Sequence, residues 1–273
     1  MTINCHGKLI DLTTPKVMGI LNVTPNSFYD GGRFSDERSI LDQVGKMLNE
    51  GADFIDVGGY SSKPNAEEVA EKEEVERVVP VIQKIVKEFP QAIISIDTFR
   101  SEVARQSIQN GASIINDIAA GYLDERMFET VAKLQVPYIM MHMKGNPQTM
   151  QSLAQYEDII QEILFYFSEK VAKARSLGIN DLIVDPGFGF AKTMAQNFEV
   201  LQKLEAFKIL ELPLLVGISR KSMIHKTLGT NAEMALNGTT SLNTVALMKG
   251  AKILRVHDVK EAVECVKLFE KLN

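Results

Sequence analysis

The strongest constraint on this chain is an eightfold alternation. Short β-rich apolar runs recur at residues 17–22, 53–57, 92–96, 113–116, 136–141, 181–185, 214–218 and 252–256. Each is largely apolar on both faces, as expected of strands covered by helices outside and a packed interior within. Amphipathic stretches lie between them. Val75, Val78, Val79, Ile82, Ile85 and Val86 share one helical face, and Ile159, Ile160, Ile163, Leu164, Phe167 and Val171 share another. Ala262, Val263, Val266 and Phe269 mark a last helix. Pro80 interrupts the first pattern and predicts a bend there. Such alternation predicts a parallel sheet with helical crossovers. Eight repeats in 273 residues predict an α/β fold of the (β/α)8 or TIM-barrel type, one domain spanning 1–273. An open dinucleotide-binding sheet would carry a Gly-rich turn after its first strand, and none follows Asn22. Residues 1–16 predict a short hairpin closing the barrel bottom, with Thr13-Thr14-Pro15 as the turn signal.

Charge narrows the partners. There are 30 Lys+Arg and 35 Asp+Glu, a net of -5, which suits neither nucleic acid nor an anionic membrane. Cys5 and Cys265 sit at opposite ends and make no disulfide framework, so a reducing compartment fits. The N-terminus lacks a basic start followed by an apolar run, and no apolar stretch is long enough for a membrane span. A cytoplasmic location is therefore expected. The acidic stretch 67–76 reads as a solvated helix start.

Active sites of such barrels lie at the C-terminal ends of the strands. Polar groups end every predicted strand: Asn22, Asp56, Asp97, Asn116 with Asp117, His142, Asp185, then Ser219-Arg220-Lys221, and finally Arg255 with His257. Any one could be a cap or a turn, and Asp97 could cap a helix starting near Ser101. The complete ring argues for a converging site. The cations after strands seven and eight (Arg220, Lys221, Arg255, with His257) occupy a position where barrels often bind phosphate. A solvated basic turn is a fair alternative for Arg220. Acids and amides on strands three, four and six suit the donor-rich edge of a pterin or purine.

The loops after strands one and two carry paired glycines, Gly31-Gly32 and Gly58-Gly59, that suit lids. The histidines show no zinc spacing, and His142 in its apolar run reads as a packed core residue. A hard divalent ion here would be Mg²⁺, held partly by substrate phosphates and by Asn22 or Asp30.

Seven segments resemble the bacterial dihydropteroate synthases, in order and over essentially the whole chain. They begin at Met18 (MGILNVTPNSFYDGG), Asp56 (DVGG), Ser95 (SIDT), Ile114 (IINDI), Asp185 (DPGFGFAK), Gly217 (GISRKS) and Arg255 (RVHDV). The resemblance implies a homodimeric, cytoplasmic (β/α)8 transferase of folate biosynthesis and a target of sulfonamides. Such an enzyme joins 6-hydroxymethyl-7,8-dihydropterin pyrophosphate to p-aminobenzoate and releases pyrophosphate. It implies pterin binding by Asp97, Asn116, Asp185 and Lys221, with Arg255 over the ring. Asp97, Lys221 and Arg255 would be catalytic. Asn22, Arg255 and His257 would handle pyrophosphate, with Asn22 also on Mg²⁺. Phe190, Lys221 and Ser222 would form the aminobenzoate pocket with Ser62, Lys63 and Pro64, once loops 22–34 and 58–66 fold over.

The chain departs from the family pattern at Asn26, where Asp is usual, and at Tyr60-Ser61-Ser62-Lys63-Pro64, where Glu-Ser-Thr-Arg-Pro is usual. Lys63 keeps the charge of that arginine without its fork. A corrinoid-type pterin methyltransferase would not need the phosphate cations. A non-catalytic pterin-binding relative would bind without turnover, and a sugar-phosphate barrel would not match the seven segments.

Overall fold

The computed structural model describes residues 1–23, 33–60 and 69–272, with backbone only for 33–37. A β-hairpin comes first, β1 (Thr2–Cys5) against β2 (Lys8–Asp11). Its turn is His6-Gly7, with φ of 50° and 83°. Two central residues of positive φ make the primed turn whose twist matches paired strands. The signal at Thr13-Thr14-Pro15 instead marks the passage from hairpin to barrel.

The barrel strands are β3 (Lys16–Asn22), β4 (Phe54–Gly58), β5 (Ile94–Asp97), β6 (Ile114–Asp117), β7 (Tyr138–Met141), β8 (Leu182–Asp185), β9 (Leu215–Val216) and β10 (Ile253–Val256). All pair in parallel, in the order β8-β7-β6-β5-β4-β3-β10-β9. One parallel bridge, Val184 to Leu214, closes the ring. The TIM-barrel expectation holds, and the predicted strands fall within a few residues of the observed ones. The largest difference is at β9, where the chain leaves the sheet after Val216 to build the loop carrying Ser219, Arg220 and Lys221.

Helices α1 (Arg33–Asn49), α2 (Glu71–Glu88), α3 (Ser101–Gln109), α4 (Met127–Leu134), α5 (Ile159–Ser176), α6 (Met194–Gln202), α7 (Ser222–His225), α8 (Leu236–Met248) and α9 (Val259–Phe269) follow the strands. Helix α2 runs through Pro80 without a break. Its buried face is Glu74, Val78, Ile82 and Ile85. The stretch 67–76 is therefore not wholly solvated: Glu74 is buried and paired with Arg100.

Side chains alternate across each strand, and the barrel shows that period of two. Val17, Ile55, Val57, Ile94, Ile96, Ile115, Tyr138, Val184, Val216 and Leu254 pack outward in the core between strands and helices. Met18, Phe54, Ile114, Ile139, Ile183, Leu215 and Ile253 pack together as an apolar floor, sealed by Ile3, Cys5 and Leu12 of the hairpin segment. The hairpin thus closes the bottom, as expected. Two residues above that floor, on the same strand faces, the side chains turn polar: Asp56, Asn116, Asp185 and Arg255.

Candidate active site

The parity of each strand decides which polar group enters the barrel. Asn116 and Asp117 are neighbours in β6 and diverge completely. Asn116 donates from Nδ2 to Asp56 Oδ2 at 3.0 Å. Asp117 accepts instead from Tyr138 Oη at 2.6 Å and from the backbone N–H groups of Ala119 and Gly121 at 2.8 and 2.7 Å, fixing a turn on the helix side.

Arg255 reaches across the interior to two acids. Its Nε donates to Asp56 Oδ2 at 2.6 Å and its Nη2 to Asp97 Oδ2 at 2.6 Å. Burial opposes the charge on Arg255, but Asp56 and Asp97 prevail and hold its pKa above the ordinary value. Burial raises Asp97 to about 7, against the pull of Arg255. Asp97 caps no helix: the first N–H of α3, at Ser101, donates to Asp124 Oδ2 at 2.8 Å.

Asp185 accepts from Gly187 N at 2.8 Å, and burial raises its pKa while Lys221 opposes the shift. Lys221 donates to the Phe188 carbonyl, and its ammonium lies 4.8 Å from the Phe190 ring centroid. Burial lowers it to about 8, with Asp185 holding the charge in part. Lys221 and Arg255 each feel the charges of both Asp97 and Asp185, so the two cations link the two acids electrostatically.

The loop after β8 is pinned from both sides. Below it, the buried Lys192 donates to the carbonyls of Gly187 (3.0 Å) and Phe190 (3.1 Å) and to His142 Nδ1 (3.1 Å). Burial lowers Lys192 to about 7 and holds His142 well below its ordinary value, consistent with a neutral imidazole accepting from an ammonium. His142 is the packed core residue expected. Asn197 of α6 accepts from Gly189 N at 2.6 Å. Lys192 has no distinct signal in the sequence, since a lysine in a loop reads as solvated.

At the mouth, the His257 N–H donates to Ser219 Oγ at 3.2 Å, and that oxygen lies 3.0 Å from His257 Nδ1. The surrounding protein and then the Arg255 charge push His257 down to about 4. Asn22 ends β3 exposed, with no hydrogen bond from its side chain to the described residues, and Ser222 opens α7 exposed. Arg220 is no loose basic turn. Its Nε and Nη2 meet both oxygens of Asp258 at 2.8 and 2.7 Å, and its Nη1 donates to the carbonyls of Ala232 and Glu233.

The structure therefore brings Asp97, Asn116, Asp185, Lys221, Phe190 and Arg255 to one end of the barrel, with Asn22, Ser222 and His257 at the ends of its strands and loops. Ser62, Lys63, Pro64, Asn26 and Asp30 lie outside the described residues, as do most of the loops 22–34 and 58–66. Asp56 stands at a strand end with no role implied by the resemblance. Counting by twos from Phe54 on the floor would have turned it inward.

Comparison with known proteins agrees with this geometry. A family described as "Pterin binding enzyme" matches residues 18–257. The dihydropteroate synthase of Escherichia coli K12 is 44% identical over 272 residues, covering 99% of this chain and 96% of that protein. The solved structure of Yersinia pestis dihydropteroate synthase with a sulfonamide drug superposes with a TM-score of 0.92 at 41% identity, covering 100% of this chain and 99% of that one. The Xanthomonas albilineans enzyme solved with 4-aminobenzoic acid gives 0.92 at 36% identity, covering 99% and 97%. With a matching family across the barrel and relatives above 40% identity over nearly the full length, the chain belongs to the dihydropteroate synthases, pterin-binding transferases of folate biosynthesis.

Proposed function

We propose that this protein condenses 6-hydroxymethyl-7,8-dihydropterin pyrophosphate with p-aminobenzoate, giving 7,8-dihydropteroate and pyrophosphate by an SN1-like route. The observation that carries this reading is one set at one end of the barrel, the buried Asn116 and Asp185 with the partly buried Asp97, Lys221 and Arg255, two acids and an amide beside two cations. A pterin presents a donor edge and acceptor nitrogens, which such a set complements. On this reading Asp97, Asn116, Asp185 and Lys221 bind the ring and Arg255 lies over it. Phe190 and Lys221 wall the aminobenzoate pocket. Ser222 meets its carboxylate, and Ser62, Lys63 and Pro64 complete the pocket. The relative solved with 4-aminobenzoic acid supports that substrate.

The reaction needs no protein nucleophile. The C–O bond between the pterin methylene and pyrophosphate breaks, and its electron pair leaves with the pyrophosphate. The resulting cation spreads into the electron-rich ring, where the Asp97 carboxylate stabilises it through preorganised charge. The amine of p-aminobenzoate forms the new C–N bond and then loses a proton to solvent. Arg255 receives the departing pyrophosphate. His257, neutral at pH 7, contributes a hydrogen bond rather than a charge.

The residues present fit a magnesium ion in one form only. No cluster of three His, Cys, Asp or Glu able to cage a metal exists among the described residues. The exposed Asn22 offers one hard oxygen, which suits an ion held chiefly by substrate phosphates and water. The chemistry such an ion supplies is charge neutralisation on the pyrophosphate. A homodimer, sulfonamide inhibition and a cytoplasmic setting complete the proposal on the strength of the family. No helix among the described residues is long and apolar enough to cross a membrane.

The test is direct. Purified protein, dihydropterin pyrophosphate, Mg²⁺ and labelled p-aminobenzoate should give labelled dihydropteroate, and chelation of Mg²⁺ should abolish it. Pterin binding without product would mean a non-catalytic relative. Neither binding nor product would overturn the substrate assignment.

A further inference from the structure

Arg220 and Arg255, on the loop after β9 and on β10, share their forks with carboxylates in different ways. Arg220 gives both prongs of its fork, Nε and Nη2, to the two oxygens of a single carboxylate, Asp258. That bidentate pairing is the strong, fixed kind. Arg255 splits the same prongs between two carboxylates on adjacent strands: Nε to Asp56, Nη2 to Asp97. A split fork can release one prong and keep the other.

The two acids are not equivalent. Asp56 is fully buried, whereas the Asp97 side chain keeps 21% of its surface accessible. Asp56 pairs with Ser95 in the sheet register, so Asp97 stands one inward position higher, nearer the barrel mouth. Asp56 Oδ2 also accepts from Asn116 Nδ2, and Asp56 Oδ1 has no partner. Arg255 is therefore the only cation bonded to Asp56 among the described residues. A buried carboxylate with one bonded cation holds it firmly, because its loss would strand a charge in the interior.

We propose that Asp56 is a positioning residue for the reaction: it retains Arg255 through Nε while Nη2 exchanges Asp97 for the substrate. In the structure the guanidinium covers Asp97. When a pterin edge takes that carboxylate, the freed end of Arg255 turns to the ring and the pyrophosphate, still tethered at its root. Asp56 touches no substrate and acts through Arg255. This rests on the proposed reading that Asp97 receives the pterin.

The test is a double-mutant cycle read on the affinity for 6-hydroxymethylpterin, which requires no turnover. In Asp56→Asn the tether loses its charge and Arg255 turns to Asp97 as its remaining anion. Pterin binding should weaken about fivefold or more and kcat should fall about tenfold or more, while the KM for p-aminobenzoate moves less than about twofold. In an Arg255→Met background the same Asp56→Asn change should alter pterin affinity less than about twofold. Equal losses in both backgrounds would overturn the proposal, since Asp56 would then act through Asn116 or the fold. A second measurement covers the case in which Asp56→Asn does not fold. In the unmutated protein, the Arg255 Nε–H resonance should stay protected from exchange when pterin is added. Its exposure on binding would equally overturn the tether. Asp97→Asn separates the two ideas: undiminished pterin binding there would sink the reading of Asp97 while leaving the cycle on Asp56 and Arg255 to report on its own.

Discussion

At the residue scale, the site is a set of charges whose ionisation is tuned by burial. Ionised Asp97 accepts hydrogen bonds from a pterin edge and the protonated form accepts fewer, so affinity should rise as pH climbs through about 7. Lys221 is lowered to about 8, so above that value it loses its charge and one N–H donor and affinity should fall again. Calorimetric titration of 6-hydroxymethylpterin across the neutral range should show a maximum between these values. A profile flat through both would rule out these two groups as controlling ligands. Most of these residues could be read from the sequence because each ends an apolar run. Asp56, Glu74 and Lys192 were harder. The first two carried a usable signal: Asp56 has the inward parity of Phe54, and Glu74 shares a helical face with Val78, Ile82 and Ile85. Lys192 carried none, because its partners are backbone carbonyls and a histidine 50 residues away.

At the element scale, the loop from Asp185 to Lys192 works as a rigid insert. Gly187 has φ of 72°, and a Cβ there would lie 2.1 Å from the His142 carbonyl oxygen, a backbone atom that cannot swing away. Gly187→Ala should therefore destabilise the protein by about 2 kcal/mol or more, measurable by denaturant melting. Lys192→Met should leave the Phe190 carbonyl unpaired, at about 1–3 kcal/mol if it stays buried, while the Gly187 carbonyl keeps the Phe190 N–H. It should also loosen Phe190, raising the KM for p-aminobenzoate about tenfold while pterin affinity changes less than about twofold. Equal losses for both ligands would point instead to collapse of the whole site. The sequence marked this segment by its glycines, but periodicity is silent inside a loop, where non-local hydrogen bonds set the shape.

At the scale of the whole molecule, the barrel was legible because alternation of strand and helix leaves few topologies. The closing strand β9 is shorter than its apolar run, because apolar content continues to Ile218 after the ladder has ended. The hairpin was foreseen, and its place in the core gives a separate prediction. Ile3 is almost fully buried against the floor. Ile3→Ala should cost about 2–5 kcal/mol of stability with KM values unchanged. A parallel loss of catalysis in the folded variant would mean that floor and site are mechanically linked.

The sealed floor has a further consequence in time. Among the described residues Ile3, Cys5 and Leu12 plug one end of the barrel, so ligands must enter from the other and queue. On the proposed reading the pterin half lies innermost. It must then arrive before p-aminobenzoate and, as dihydropteroate, be the last to depart. Product inhibition should carry that signature: dihydropteroate competing directly with the pterin substrate, and pyrophosphate not.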